Sequence, residues 1–238
     1  MNITNISIIP LQGGSFLSLD FASLRHNMVQ NQLMTNHVLT PRFLKAFEEV
    51  QREKFLPSAL RSLAYCDQVL KVFEGQFMMP PLMLGRFMEA LNPHESDSIL
   101  VIGDVTGYTS ALFSMLCGGV VSLIPEIIPD SHVKHLKKTL NTYAHNPVLV
   151  KKGPLEKGAP DHAPYTYLFF EGSLPYFPKN LLDALNTHGK AMAMIQKNAH
   201  LGHATLYKKS RKKHEEQIIF EGLLPPIYEF QNHASFVF

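Results

Sequence analysis

Cysteine is scarce: Cys66 and Cys117 are the only two thiols in 238 residues. Two are too few for a disulfide framework or a cysteine-held metal cluster, so both are expected to pack as small apolar groups in a reducing compartment. Long hydrophobic runs are missing as well. Ser98 to Ile102 and Gly118 to Pro125 are typical of the longest apolar stretches, far below the ~20 residues a bilayer span needs. Charge of one sign is equally short, because 22 Lys and Arg against 20 Asp and Glu leave +2. That balance gives no global field for nucleic acid or an anionic membrane surface. Met1 to Phe21 contains no Lys or Arg and no small-residue cleavage pattern, so no signal peptide is expected and cytoplasm is the default location. Repeats and low-complexity segments are absent. What is present, 45% hydrophobic and 18% charged residues, suffices for one sizeable core and predicts a soluble chain.

Hydrophobic spacing organises the chain. Phe21, Leu24 and Met28 recur at helical intervals, and Thr40-Pro41 reads as a cap and first helical position ahead of Phe43, Leu44, Phe47 and Val50. Pro81 is expected to open another helix through Leu84, Phe87, Met88 and Leu91, making the chain mostly helical up to about residue 95. The pattern then alternates. Ile99 to Ile102, Val120 to Ile124, Val148 to Val150, Tyr165 to Phe170 and Ala191 to Ile195 read as strands. Helices are expected around Ala111 to Leu116, Val133 to Leu140 and Leu181 to Leu185, with Gly189 stopping the last. This is the signature of a parallel α/β sheet. Ala204 to Tyr207, Gln217 to Phe220 and Ser235 to Phe238 follow without long helices between them, which predicts an antiparallel edge.

The central motif is Ile99 to Tyr108, a strand running into the turn Gly103-Asp-Val-Thr-Gly107 and then a helix. In open parallel sheets ligands sit at the carboxyl ends of strands, where glycine lets the backbone approach and the helix start favours anions. The turn therefore marks a nucleotide-like pocket or serves packing alone. A carboxylate about 20 residues on commonly holds two ribose hydroxyls; Ile124 occupies that strand tip, and Glu126 lies two residues further, behind Pro125.

With these stretches the chain resembles the protein-L-isoaspartate O-methyltransferase family, in a divergent bacterial branch. The likeness is carried by Arg25 to Leu33, Val50 to Pro57, Ala64 to Asp67, the Gly103 turn, Gly153 to Gly158, Ala163 to Tyr165 and Phe236 to Phe238. It implies an α/β, Rossmann-like S-adenosylmethionine-dependent methyltransferase fold with a mostly parallel central sheet. Residues 1–95 would form an N-terminal helical region packing on a core of 96–238. It also implies S-adenosylmethionine as cofactor and a protein or peptide as substrate, with cofactor contacts carried over to Gly103, Asp104, Thr106, Gly107 and Glu126. No general base can be named.

Several positions depart from the family pattern. Phe77 and Met79 stand where the acceptor site has Thr and Ser, and neither side chain can hydrogen-bond a carboxylate. Val101 replaces an acid, Val105 the middle glycine and Ile124 the ribose carboxylate. Two lost carboxylates cost about 3–6 kcal/mol of affinity, roughly 100-fold to 10,000-fold. Val105 also places a branched Cβ where a ligand would approach the backbone. Asp104 could offset part of this by meeting an ammonium group. Gly153 and Thr166 replace further family acids, leaving Glu171 either reaching into the site or facing water. The expected function is thus an isoaspartyl methyltransferase-like protein with weak or lost repair activity. The alternatives are an inactive binding or scaffold protein, its cleft filled by Val101, Val105, Ile124 and methionines, and a methyltransferase with another acceptor.

Weaker signals remain. His132 with His135, and His200 with His203, have metal-ligand spacing but no acidic or cysteine partner, so no metal is expected. Lys208 to Lys213 gathers five positive charges in six residues and reads as a solvated turn. No Gly-x-Ser-x-Gly nucleophile elbow occurs.

Overall fold

The computed structural model describes residues 19–210 and 214–231. Asp20 opens the first helix, α1 (Phe21–Met28), its carboxylate accepting from the backbone N–H groups of Ala22 and Ser23. A π-helical turn, Val29–Leu33, continues it. Helix α2 (Pro41–Glu49) starts at proline as expected, but the Thr40 hydroxyl donates to Glu89 at 2.7 Å rather than capping the helix. The region up to residue 95 is less helical than its spacing predicts. Strands β1 (Leu70–Phe73) and β2 (Gln76–Met78) form an antiparallel hairpin, turned at Gly75 with φ +67°. A hairpin this short offers too few alternations for its period to register. Helix α3 (Pro81–Leu91) follows and ends on Asn92 in the left-handed region.

From there strand and helix alternate: β3 (Ser98–Ile102), α4 (Tyr108–Ser114), β4 (Gly119–Ile124), α5 (Asp130–Tyr143), β5 (Val148–Lys152), β6 (Tyr165–Leu174) and β7 (Leu185–Asn198). Strands β8 (Leu201–Lys208) and β9 (Glu215–Gly222) complete one seven-stranded sheet of order β5-β4-β3-β6-β7-β8-β9. The first five strands in that order run parallel, and β8 and β9 are antiparallel, as the pattern predicts. Two expectations fail here. The segment around Leu181 is a 3-10 turn, Lys179–Ala184, and Gly189 lies inside β7 instead of stopping a helix. The strand expected over Ser235 to Phe238 lies outside the described residues.

Period-two alternation divides the core. Ile99, Val101, Phe169, Met192 and Met194 face one cluster, shared with residues of α1 to α5. Leu100, Ile102, Leu168, Phe170 and Ala193 face the other. That second face is covered by short 3-10 turns bearing Leu155, Leu181 and Leu182 and by Ile227 and Phe230 of the C-terminal segment. Cys117 is buried as expected, whereas Cys66 is exposed. No described helix is long and apolar enough to cross a membrane.

Candidate functional site

The turn between β3 and α4 places its two positive-φ residues on glycine, Gly103 at +90° and Gly107 at +83°. Val105 between them keeps an ordinary backbone conformation and is fully buried, in the same cluster as Leu136 of α5. Its carbonyl accepts a 2.7 Å hydrogen bond from His132 Nε2, which puts that nitrogen's proton in place. Asp104 is buried and saturated: its carboxylate accepts from Gly107 N, Ser110 N, Ser110 Oγ and Thr106 Oγ1 at 2.8–3.0 Å. It therefore satisfies the start of α4 from inside the turn. Burial raises its pKa above the usual carboxylate value, against the pull of those donors.

A second acid lies beside it. Glu171, within β6, accepts from Met79 N at 3.2 Å and from Thr109 Oγ1 at 2.7 Å. It faces the interior rather than water, and burial together with the Asp104 charge pushes its pKa up to about 8. Arg52 is the cation of this cluster. It is fully buried, donates to the carbonyls of Ala64 and Met79 at 2.7 Å each, and lies over the Tyr108 ring at 4.7 Å. Burial lowers its pKa. Arg52 Nη1 and the Tyr108 hydroxyl are buried with no hydrogen-bond partner among the described residues. Sequence reasoning missed Arg52, since a lone arginine in a short polar run reads as surface.

The C-terminal segment closes the site. Ser173 N donates to Pro225 O at 2.8 Å and Ile227 N to Ser173 O at 2.9 Å, so the segment lies against the end of β6 as a one-residue parallel bridge. Gly172 is required for this seat, because a Cβ there would stand 2.7 Å from Ile227 Cγ1. The space left among Met79, Gly103, Glu171 and Ile227 is about 20 Å³.

The structure brings together Gly103, Asp104, Thr106 and Gly107 in one turn, and Glu126 is exposed on the loop after β4. No hydrogen bond of its side chain is seen among the described residues. Ile124 is fully buried in the cluster that holds Ile128 and Leu136. Phe77 is half-buried in β2 and Met79 buried just after it, with only the Met79 backbone engaged in polar contacts. Thr166 accepts from Ser98 N at 3.3 Å, at the end of β6 away from the turn. No group of three potential metal ligands exists among the described residues. Arg211 to Lys213 of the basic cluster lie outside them.

Comparison with known proteins gives the site its context. The family model described as Protein-L-isoaspartate(D-aspartate) O-methyltransferase matches residues 23–225. A protein-L-isoaspartate O-methyltransferase from Synechococcus sp. (strain JA-2-3B'a(2-13)) is 34% identical over 175 residues, 74% of this chain and 70% of that protein. Another from Geotalea uraniireducens (strain Rf4) is 28% identical over 206 residues, covering 87% and 91%. Among solved structures, a protein-L-isoaspartate O-methyltransferase superposes with TM-score 0.70 at 23% identity over 86% of this chain, which spans 64% of that one. A structure assigned to the same activity from Plasmodium falciparum, in complex with S-adenosyl-L-homocysteine, gives 0.66 at 13% identity, covering 87% and 98%. These two likenesses establish the Rossmann-like methyltransferase fold.

The family's methyl donor is S-adenosylmethionine. On the Gly103 side of the turn the residues do not fit it: about 20 Å³ holds roughly one water, whereas small-molecule sites run from about 300 Å³ upward; Thr106, on the other side of the turn, lines a separate cavity of about 360 Å³. The fold and the matched sequence are nonetheless unambiguous, and the chain belongs to the protein-L-isoaspartate O-methyltransferase family.

Proposed function

We propose that this chain is an isoaspartyl methyltransferase-like protein whose repair activity is weak or lost because its own C-terminal segment stands where the methyl donor would lie. The observation that carries this reading is Ile227 packed over Gly103, with about 20 Å³ left between them and Glu171. Three features support it: Asp104 has its oxygens engaged by the turn, Glu126 is exposed on its loop, and Phe77 and Met79 offer no hydroxyl to an acceptor carboxylate.

A second reading is favoured by the two positive-φ glycines, which keep the shape of the turn. On that reading Gly103, Asp104, Thr106, Gly107 and Glu126 meet the donor once the segment over them moves aside, and a protein or peptide is the substrate. Both readings place the chain in the cytoplasm, in keeping with two free cysteines.

Titration calorimetry with S-adenosylmethionine and S-adenosylhomocysteine separates them. No saturable binding tighter than about 100 μM, roughly −5.5 kcal/mol, is expected. Tighter binding, followed by methyl ester formation on an isoaspartyl peptide above background, would overturn the first reading in favour of the second.

A further inference from the structure

We propose that a cavity between the loop after α2 and helix α5 binds a small, ring-bearing phosphomonoester. The cavity measures about 360 Å³ and shares no lining residue with the space under Ile227. Thr106 of the Gly103 turn lines it as well, so the cavity adjoins the turn carried over to the methyl donor, and Lys54, Arg61 and Phe73, which lie outside that turn, carry the inference.

Its walls are one-sided in charge. Lys54, Arg61, His132 and His135 line it, and no Asp or Glu does. Of the 22 Lys and Arg in the chain, Arg25, Lys45, Lys71, Lys151 and Lys152 are in ion pairs among the described residues; what sets this cavity apart is that its cations share one concave wall with no acid in it. Among the described residues neither Lys54 nor Arg61 is in any salt bridge. Two permanent cations without a partner acid, converging on one concave surface, leave a field that a dianion would neutralise. A phosphomonoester carries about −1.5 to −2 at neutral pH, and the arginine fork matches its oxygens bidentately.

Two phenylalanines stand in the rest of the wall. Phe55 is buried at the cavity, and Phe73, at the end of β1, is 40% exposed there. Phe73 meets the His132 ring edge-on, with centroids 4.6 Å apart. His132 is itself held by the bond from its Nε2 to Val105 O at 2.7 Å. A planar group entering the cavity thus finds an aromatic surface already ordered, which lowers the cost of binding. The volume lies near the lower end of the ~300–1,000 Å³ usual for small-ligand sites, so it suits one ring with its phosphate and not a peptide segment.

The test is calorimetric titration of the full chain with phenyl phosphate and AMP at low salt, against inorganic phosphate, benzoate and adenosine. Saturable binding of phenyl phosphate or AMP below about 1 mM is expected, with each of the three partial probes at least tenfold weaker. Lys54→Gln combined with Arg61→Gln should weaken binding by tenfold or more while leaving the melting temperature unchanged. Phe73→Ser should weaken the ring-bearing probes and leave inorganic phosphate unaffected. Absence of saturation by about 10 mM, equal affinity for inorganic phosphate, or affinity unmoved by the double charge variant would each overturn the proposal.

Discussion

Ile227 Cδ1 lies 3.5 Å from where a Cβ on Gly103 would stand, so the C-terminal segment covers the ligand turn and leaves space for about a methyl group over that glycine. If that cover is what excludes the methyl donor, shortening the side chain should expose the turn. Ile227→Ala removes a side chain that is 7% exposed and is expected to cost about 2–3 kcal/mol of stability. It should also raise affinity for S-adenosylhomocysteine above that of the unmodified chain. Urea denaturation and calorimetry on the same preparation read both quantities; a loss of stability with no gain in binding would show that Ile227 is not the obstruction.

A repair suggested by sequence alone should fail. Val105→Gly with Ile124→Glu restores two family residue types, but both side chains are fully buried in one hydrophobic cluster. A carboxylate at residue 124 would be desolvated against Ile128 and Leu136, and the glycine would open a void beside α5. We expect a loss of several kcal/mol and no gain in donor affinity. Thermal unfolding with and without S-adenosylmethionine checks this: recovery of binding in a stable double variant would place the fault at those two positions and not at the C-terminal segment.

The contrast marks how far the residues alone could be read. Parallel strands such as Ile99 to Ile102 are buried on both faces and register as continuous apolar runs, so their order and the antiparallel edge were legible. The Gly103 to Gly107 turn was legible because glycine adopts positive φ without strain and marks such turns. The hairpin of β1 and β2 was not, because its strands have four and three residues. The obstruction by Ile227 was hidden more deeply. It depends on Pro225 to Ile227 returning to Ser173 over a sequence distance of more than fifty residues, and no local period encodes such a contact. Glu171 was visible as an acid on a strand, but its inward orientation follows from the β6 register and from partners on two other elements.

That orientation has a pH consequence. Glu171 is raised from 4.5 to about 8 in the folded chain, by burial first and by the Asp104 charge second. Between those values the folded state holds a proton that the unfolded chain has released. The stabilising contribution is therefore fully present below 4.5 and is lost as pH rises through about 8. Denaturation midpoints should fall between about pH 5 and pH 8, and Glu171→Gln, which is neutral throughout, should flatten the fall. Parallel curves for the two proteins would remove Glu171 as its source.

The two turn glycines should respond unequally to the same substitution. Both have positive φ, so alanine at either is strained by about 1–3 kcal/mol. At Gly103 the added Cβ meets Ile227 at an ordinary 3.5 Å, and the conformational cost stands alone. At Gly107 it would lie 2.5 Å from Leu136 Cδ1 and 3.2 Å from Leu140 Cγ, so the buried Leu136 and Leu140 side chains must shift or α5 must move with them. Any movement of α5 would also disturb the His132 bond to Val105 O, which ties that helix to the turn. Gly107→Ala is thus expected to lose more stability than Gly103→Ala, by a further 1–3 kcal/mol or so from overpacking. Chemical denaturation ranks the pair directly. Equal losses would mean that backbone strain alone accounts for glycine at both positions and that α5 yields without cost.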